Sequence, residues 1–228
     1  LSSGGGLELI EQAEKAAERV GDLLLRFTLR LNRGVWHLDT GEYEIAEAAF
    51  ANARTLLDDA GPSAASSLLN VNFGELNLMT GRAPKAAEFF RKAVSATRGS
   101  TPTNLATAAE AGLGICELHE GHLRKARTRS ESLRFPEHWS FDPFLPVVFQ
   151  ARMHSRRGDL AAATDALANT ASSIEERFPL SWIKLRTEEA RLLHKTSPQN
   201  ASVLAGQVHN KSMELGLERR CAALEQLM

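Results

Sequence analysis

Cys116, His119 and His122 follow one another at intervals of three, spelling Cys-x-x-His-x-x-His. Thiolate and imidazole at such spacing can ligate zinc, and a Cys–His pair can also serve nucleophilic catalysis. A closed structural zinc site needs about four ligands, however, and His122 stands beyond Gly121, a residue that ends helices. No second Cys/His cluster completes the set, and no glycine-rich or oxyanion-forming element accompanies the pair. The pattern therefore reads as a buried small cysteine beside solvent-facing histidines, with a metal-dependent enzyme as a remote alternative. No phosphate-binding loop or dinucleotide fingerprint occurs. Paired carboxylates at Asp58-Asp59 and Glu188-Glu189 read as solvated charges at helix surfaces or ends. The expectation is a protein that is not an enzyme and carries no cofactor.

Basic residues gather at Arg124, Lys125, Arg127 and Arg129, and again at Arg152, His154, Arg156 and Arg157. Phosphate could bind such clusters, yet neither is interleaved with the aromatic residues on which bases stack, so solvated helix faces are expected. The formal net charge of −1 gives no global field that would draw nucleic acid or an anionic membrane. No apolar run approaches the roughly 20 residues that span a bilayer. Two distant cysteines, Cys116 and Cys221, form no disulfide framework, so a reduced, cytoplasmic setting is the expectation.

The elements that must position these residues show themselves by repetition. Gly34, Gly74 and Gly114 are spaced by 40 residues, and Gly41, Gly81 and Gly121 follow each of them by seven. Ala46, Ala86 and Ala126 come next, then Phe50, Phe90 and, in the third copy, Ser130. A fourth copy places Ala151, Gly158, Ala163 and Leu167 at the same relative spacings. Each unit reads as a helix with an apolar stripe, such as Leu24, Leu31, Val35 and Leu38, then a glycine stop, then a second helix. The small residues let the paired helices approach closely, and Phe50 and Phe90 fill the space between neighbouring hairpins. Pro84 fits the first turn of its helix, where a missing amide hydrogen is harmless.

This register resembles that of the tetratricopeptide (TPR) family: a small residue on the first helix, a turn glycine, and Ala-x-x-x-Phe on the second. The resemblance covers most of residues 22–174 and continues more faintly to about 215. The chain departs from the family where first-helix aromatics are replaced by Arg30, Asn70, Glu110 and Val147, and where the period exceeds the usual ~34 residues. The resemblance implies an all-α, right-handed superhelical solenoid of about five antiparallel helix-turn-helix repeats. They lie near 22–60, 62–98, 102–134, 142–174 and 180–215, flanked by helices at 7–20 and 217–228, in a single domain spanning 7–228. Residues 1–6 read as a linker or cloning scar and the chain as a piece of a longer protein. Leu217, Cys221, Leu224 and Met228 share one face of the last helix, which suggests further repeats beyond it. Asp142 is expected to cap the fourth unit, and Ser197-Pro198-Gln199-Asn200 replaces the glycine turn of the fifth.

In TPR arrays the first helices line a groove that receives peptides or helices. By that register the groove would display Leu31, Val35, Leu38 and Asp39 from the first unit, then Val71, Glu75 and Met79 from the second. Ile115 and His119 would follow from the third, with Arg152 and Arg156 from the fourth. Leu31 and Val35 stand where carboxylate-clamp TPR proteins carry polar residues, which argues against a chaperone-tail ligand. Trp36 and Trp139 read as packing residues. Long-period arrays of this kind look like the sensor or interaction segments of large bacterial regulators, including ATPase-type transcriptional activators and pheromone-binding regulators. The expected function is therefore a protein- or peptide-binding scaffold or sensor module of a cytoplasmic regulatory protein. The partner could be another domain of the same chain, and the alternative is small-ligand or pheromone sensing in a transcriptional regulator.

Overall fold

A computed structural model describes residues 3–57, 64–97, 104–135 and 142–217. The expected turns at Gly61-Pro62-Ser63 and Gly99–Pro102, together with Trp139, Cys221, Leu224 and Met228, lie outside the described residues. All regular structure among the described residues is helical, eleven helices without a strand. The chain divides into two compact units, Leu1–Thr101 and Pro102–Met228.

The N-terminal unit contains α1 (Ser3–Val20), α2 (Leu23–Thr40), α3 (Tyr43–Thr55), α4 (Ala64–Met79) and α5 (Ala83–Thr97). Each helix packs on the next in order. α1 begins at Ser3, inside the stretch expected to be a linker, and Gly6 lies against the ring of the half-buried Trp36. Only two residues, Gly41 and Glu42, separate α2 from α3, so the pair must run antiparallel. Gly41 makes that reversal with φ of 82°, a left-handed conformation that a Cβ would strain. Its own N–H bonds Leu38 and the next N–H, from Glu42, reaches back to His37 at 2.8 Å, closing the helix end. The same pair of bonds recurs at Gly81 and, in the other unit, at Gly121 and Gly158.

The small first-helix residues have a defined use. A Cβ placed on Gly74 would sit 2.6 Å from the Phe90 ring, and Gly34 is covered in the same way by Phe50. Both phenylalanines are fully buried. Phe50 also meets Phe73 of α4 edge-on at 5.5 Å, and Phe73 stacks on Phe89 at 4.9 Å, with Arg54 4.4 Å above it. One ring per hairpin thus closes its own helix pair, and in α3 it also meets the next helix. Burying each such ring contributes roughly 1.5–3 kcal/mol.

The C-terminal unit contains α6 (Asn104–His119), α7 (Leu123–Ser132), α8 (Phe144–Arg156), α9 (Leu160–Ile174), α10 (Pro179–Leu193) and α11 (Pro198–Glu214). The antiparallel pairs are α6 with α7, α8 with α9 and α10 with α11; α8 also packs on α6, and α10 packs on both α8 and α9. Asp142 does serve the start of α8, its Oδ1 accepting the Phe144 N–H at 2.9 Å, while Pro143 precedes the helix. The third hairpin departs from the others. Ser130 stands where a ring was needed, and the ring over Gly114 comes instead from Phe149 of α8. α6 and α8 thereby become neighbours, α10 packs on α8 in turn, and the site below is built on these three helices.

Candidate functional site

All seven groove residues expected in the N-terminal unit are buried or half-buried. Leu31, Leu38 and Val71 are buried in the core, and Asp39 and Glu75 are buried as well. Met79 and Val35 are half-buried against the same core. Their side chains offer a partner little or no surface. For Val71, Glu75 and Met79 the reason is visible in α4, whose Leu68, Leu69, Val71, Phe73, Leu76 and Leu78 run around the whole helix rather than along one stripe. Ile115 of α6 is buried for the same reason, within a helix enclosed from Thr107 to Leu118 but for Glu110.

His119, Arg152 and Arg156 behave differently. They line one cleft of about 700 Å³ in the C-terminal unit, together with Glu188, Arg191 and Lys195. Leu118, Val148, Ala151, Leu167 and Leu192 form its apolar floor. The cleft lies toward the C-terminal ends of α6, α8 and α10. Cations there complement the carbonyl ends of the helices, which is why Arg and Lys are tolerated in such density.

Glu188 organises this surface. Its Oε2 accepts from Arg152 at 3.1 Å and its Oε1 from Arg191 at 2.7 Å. Burial pushes its carboxyl up, but the two guanidinium groups outweigh burial and hold it below the usual carboxylate range. The sequence reading of Glu188 and Glu189 as solvated charges is corrected here, since their side chains are 16% and 9% exposed. Glu189 pairs with Arg186 at 2.7 Å, and burial holds its carboxyl above the ordinary range despite that partner. An adjacent acid pair on a helix was a sign of two environments, one facing each flanking helix.

His119 completes the cleft with Nε2 at 3.3 Å from an Arg152 nitrogen. Arginine has no acceptor, so that contact requires the neutral ring. Partial burial, then the charges of Arg152 and Arg156, lower the His119 pKa from its ordinary 6.5, against the opposing pull of Glu188. The unfolded chain therefore takes up this proton first as pH falls through that value, and stability drops. Thermal unfolding between about pH 7 and 5 is expected to show a smaller loss of Tm in His119→Gln than in the wild type. Equal losses in both would refute the assignment.

The Cys-x-x-His-x-x-His residues do not converge. Cys116 is fully buried, His119 turns to Arg152, and His122 pairs with Glu120 at 3.1 Å beyond the end of α6. Among the described residues no three His, Cys, Asp or Glu side chains are grouped so as to hold a metal ion. The first basic cluster is also divided: Arg129 turns inward to Glu110 and Glu117, and Arg127 pairs with Glu131 at 2.9 Å. Of the second cluster, Arg152 and Arg156 reach the cleft, and His154 lies 3.8 Å from Asp159.

Four cations against one carboxylate leave the cleft with three uncompensated positive charges when His119 is neutral. Comparison with models of protein families gives no match, and comparison with curated proteins gives none either. The cleft's chemistry alone must carry the functional reading. Among the described residues no helix is long and apolar enough to cross a membrane.

Proposed function

We propose that this chain is a TPR-like helical solenoid that binds without catalysing, a protein-interaction or sensor module of a larger regulatory protein. Its partner is an acidic segment of polypeptide, received in the cleft across α6, α8 and α10. The observation that carries this reading is the cationic rim of Arg152, Arg156, Arg191 and Lys195 above an apolar floor. An acidic segment with interspersed apolar residues matches both parts, and the charge excess favours encounter as well as register. The repeat register and the glycine-closed hairpins support the solenoid.

A second reading, small-ligand sensing, is favoured by the cleft's volume of about 700 Å³, within the roughly 300–1,000 Å³ common for small-molecule pockets. One titration separates the two. Fluorescein-labelled hexaglutamate is expected to bind the wild-type chain, and more weakly as salt rises. Arg152→Glu/Arg191→Glu, checked for helicity by circular dichroism, is expected to lose at least about tenfold in affinity, which corresponds to 1.4 kcal/mol. Glutarate binding as tightly as the peptide would transfer the site to a small dicarboxylate. A folded double variant that binds hexaglutamate like the wild type would remove the cleft from consideration.

A further inference from the structure

The cleft repeats its own cation pair with and without an acid. In the inner rung, Arg152 of α8 and Arg191 of α10 clasp Glu188 between them, one oxygen each. Four residues further along each strand of the clasp stand Arg156, at the end of α8, and Lys195, in the turn that closes α10. Both line the same cleft and both are exposed. Neither side chain has a hydrogen bond or ion pair to another described residue. The position that corresponds to Glu188 one turn on is Leu192, a half-buried leucine of the cleft wall.

We infer that Arg156 and Lys195 form a seat for one carboxylate supplied by the ligand, in the manner in which Arg152 and Arg191 hold Glu188. The inner rung is a structural clasp that fixes α8 against α10 and keeps the cleft open at a set width. Among the described residues no acid occupies the outer rung, and an acidic side chain of the bound segment fills it. Leu192 contributes an apolar contact beneath the seat, which favours an acid flanked by an aliphatic residue. This inference rests on the acidic-segment reading and assigns the anchoring point within it.

The distinguishing substitution gives the outer rung its own acid. Leu192→Glu is expected to pair with Arg156 and Lys195 and to weaken hexaglutamate binding by about tenfold or more. Leu192→Gln, uncharged, is expected to lose only the apolar contact and to bind at least about threefold more tightly than Leu192→Glu, which separates occupation of the seat from loss of the leucine. Arg156→Gln/Lys195→Gln is expected to lose affinity to the same extent as Leu192→Glu, with the inner rung intact. If Leu192→Glu and Leu192→Gln bind alike while Arg152→Glu/Arg191→Glu has lost the peptide, the seat is overturned and the acidic-segment reading survives. If the wild-type chain does not bind hexaglutamate at all, that reading falls and the seat falls with it.

Discussion

Phe149→Ala is expected to destabilise the C-terminal unit by about 3–5 kcal/mol, in the range for removing a fully buried phenyl ring. Phe149 has no exposed surface, and its ring covers the backbone of α6 at Gly114. Neither wall of the resulting void can collapse freely: one is helix backbone without a side chain, and the other is the fixed interface of α6 with α8. The cavity term should therefore persist in full. Urea unfolding followed by far-ultraviolet circular dichroism checks this, with the midpoint falling and the slope of the C-terminal transition unchanged. A loss below about 1 kcal/mol would show that another side chain fills the slot, against the fully buried placement. Ser130→Phe in the Phe149→Ala background provides the complement. Ser130 occupies the register position from which Phe50 and Phe90 cover Gly34 and Gly74. A ring there is expected to recover part of the loss, and no recovery would mean that α7 does not hold the register of α3 and α5.

The repeat was legible because its devices are local. Gly41, Gly81, Gly121 and Gly158 stop their helices by a backbone conformation that depends on few neighbours, so a glycine at constant spacing announces the turn. The apposition of Gly34 to Phe50 and Gly74 to Phe90 was equally readable, since both partners lie within one hairpin. The donation of Phe149 to Gly114 was not, because it crosses from one hairpin to the next and follows from what Ser130 lacks.

The candidate site was half legible. His119, Arg152 and Arg156 were found by register and do share a cleft. Glu188, Arg191 and Lys195 were missed because the register was carried no further than the fourth unit, though Arg191 and Lys195 follow Ala190 as Arg152 and Arg156 follow Ala151. Leu31, Leu38, Val71 and Ile115 were misplaced for a different reason. A register names which face of a helix turns inward in the family it resembles, but not whether this sequence covers it. For Val71 and Ile115 the signal against exposure was present: α4 and α6 are apolar around their circumference, and a helix lining an open groove needs a polar side. Leu31 and Leu38 belong to the one-sided stripe of α2, which turns into the core.

Arg129→Met is expected to cost about 2–3 kcal/mol, through charge rather than packing. Removing one partner of a fully buried ion pair costs roughly 3–5 kcal/mol. Arg129 keeps 20% of its side-chain exposure, so solvent screening reduces that figure. Its guanidinium spans the α6–α7 hairpin, bonding both oxygens of Glu117, at 2.8 and 3.0 Å, and also reaching Glu110. The Glu117 side chain is only 10% exposed. An ion-pair cluster of Glu110, Glu117 and Arg129 is thus a tie between the two helices. Methionine retains the apolar stem of Arg129 while withdrawing the charge, leaving Glu117 without its guanidinium partner. Burial already lowers the Arg129 pKa from its ordinary value. A double-mutant cycle with Glu117→Gln measures the coupling. The double variant is expected to be more stable than the sum of single losses predicts, because removing both charges abolishes the uncompensated one. Simple additivity of the two losses would mean that Arg129 acts through its packing alone, and the charge account of this hairpin would be abandoned.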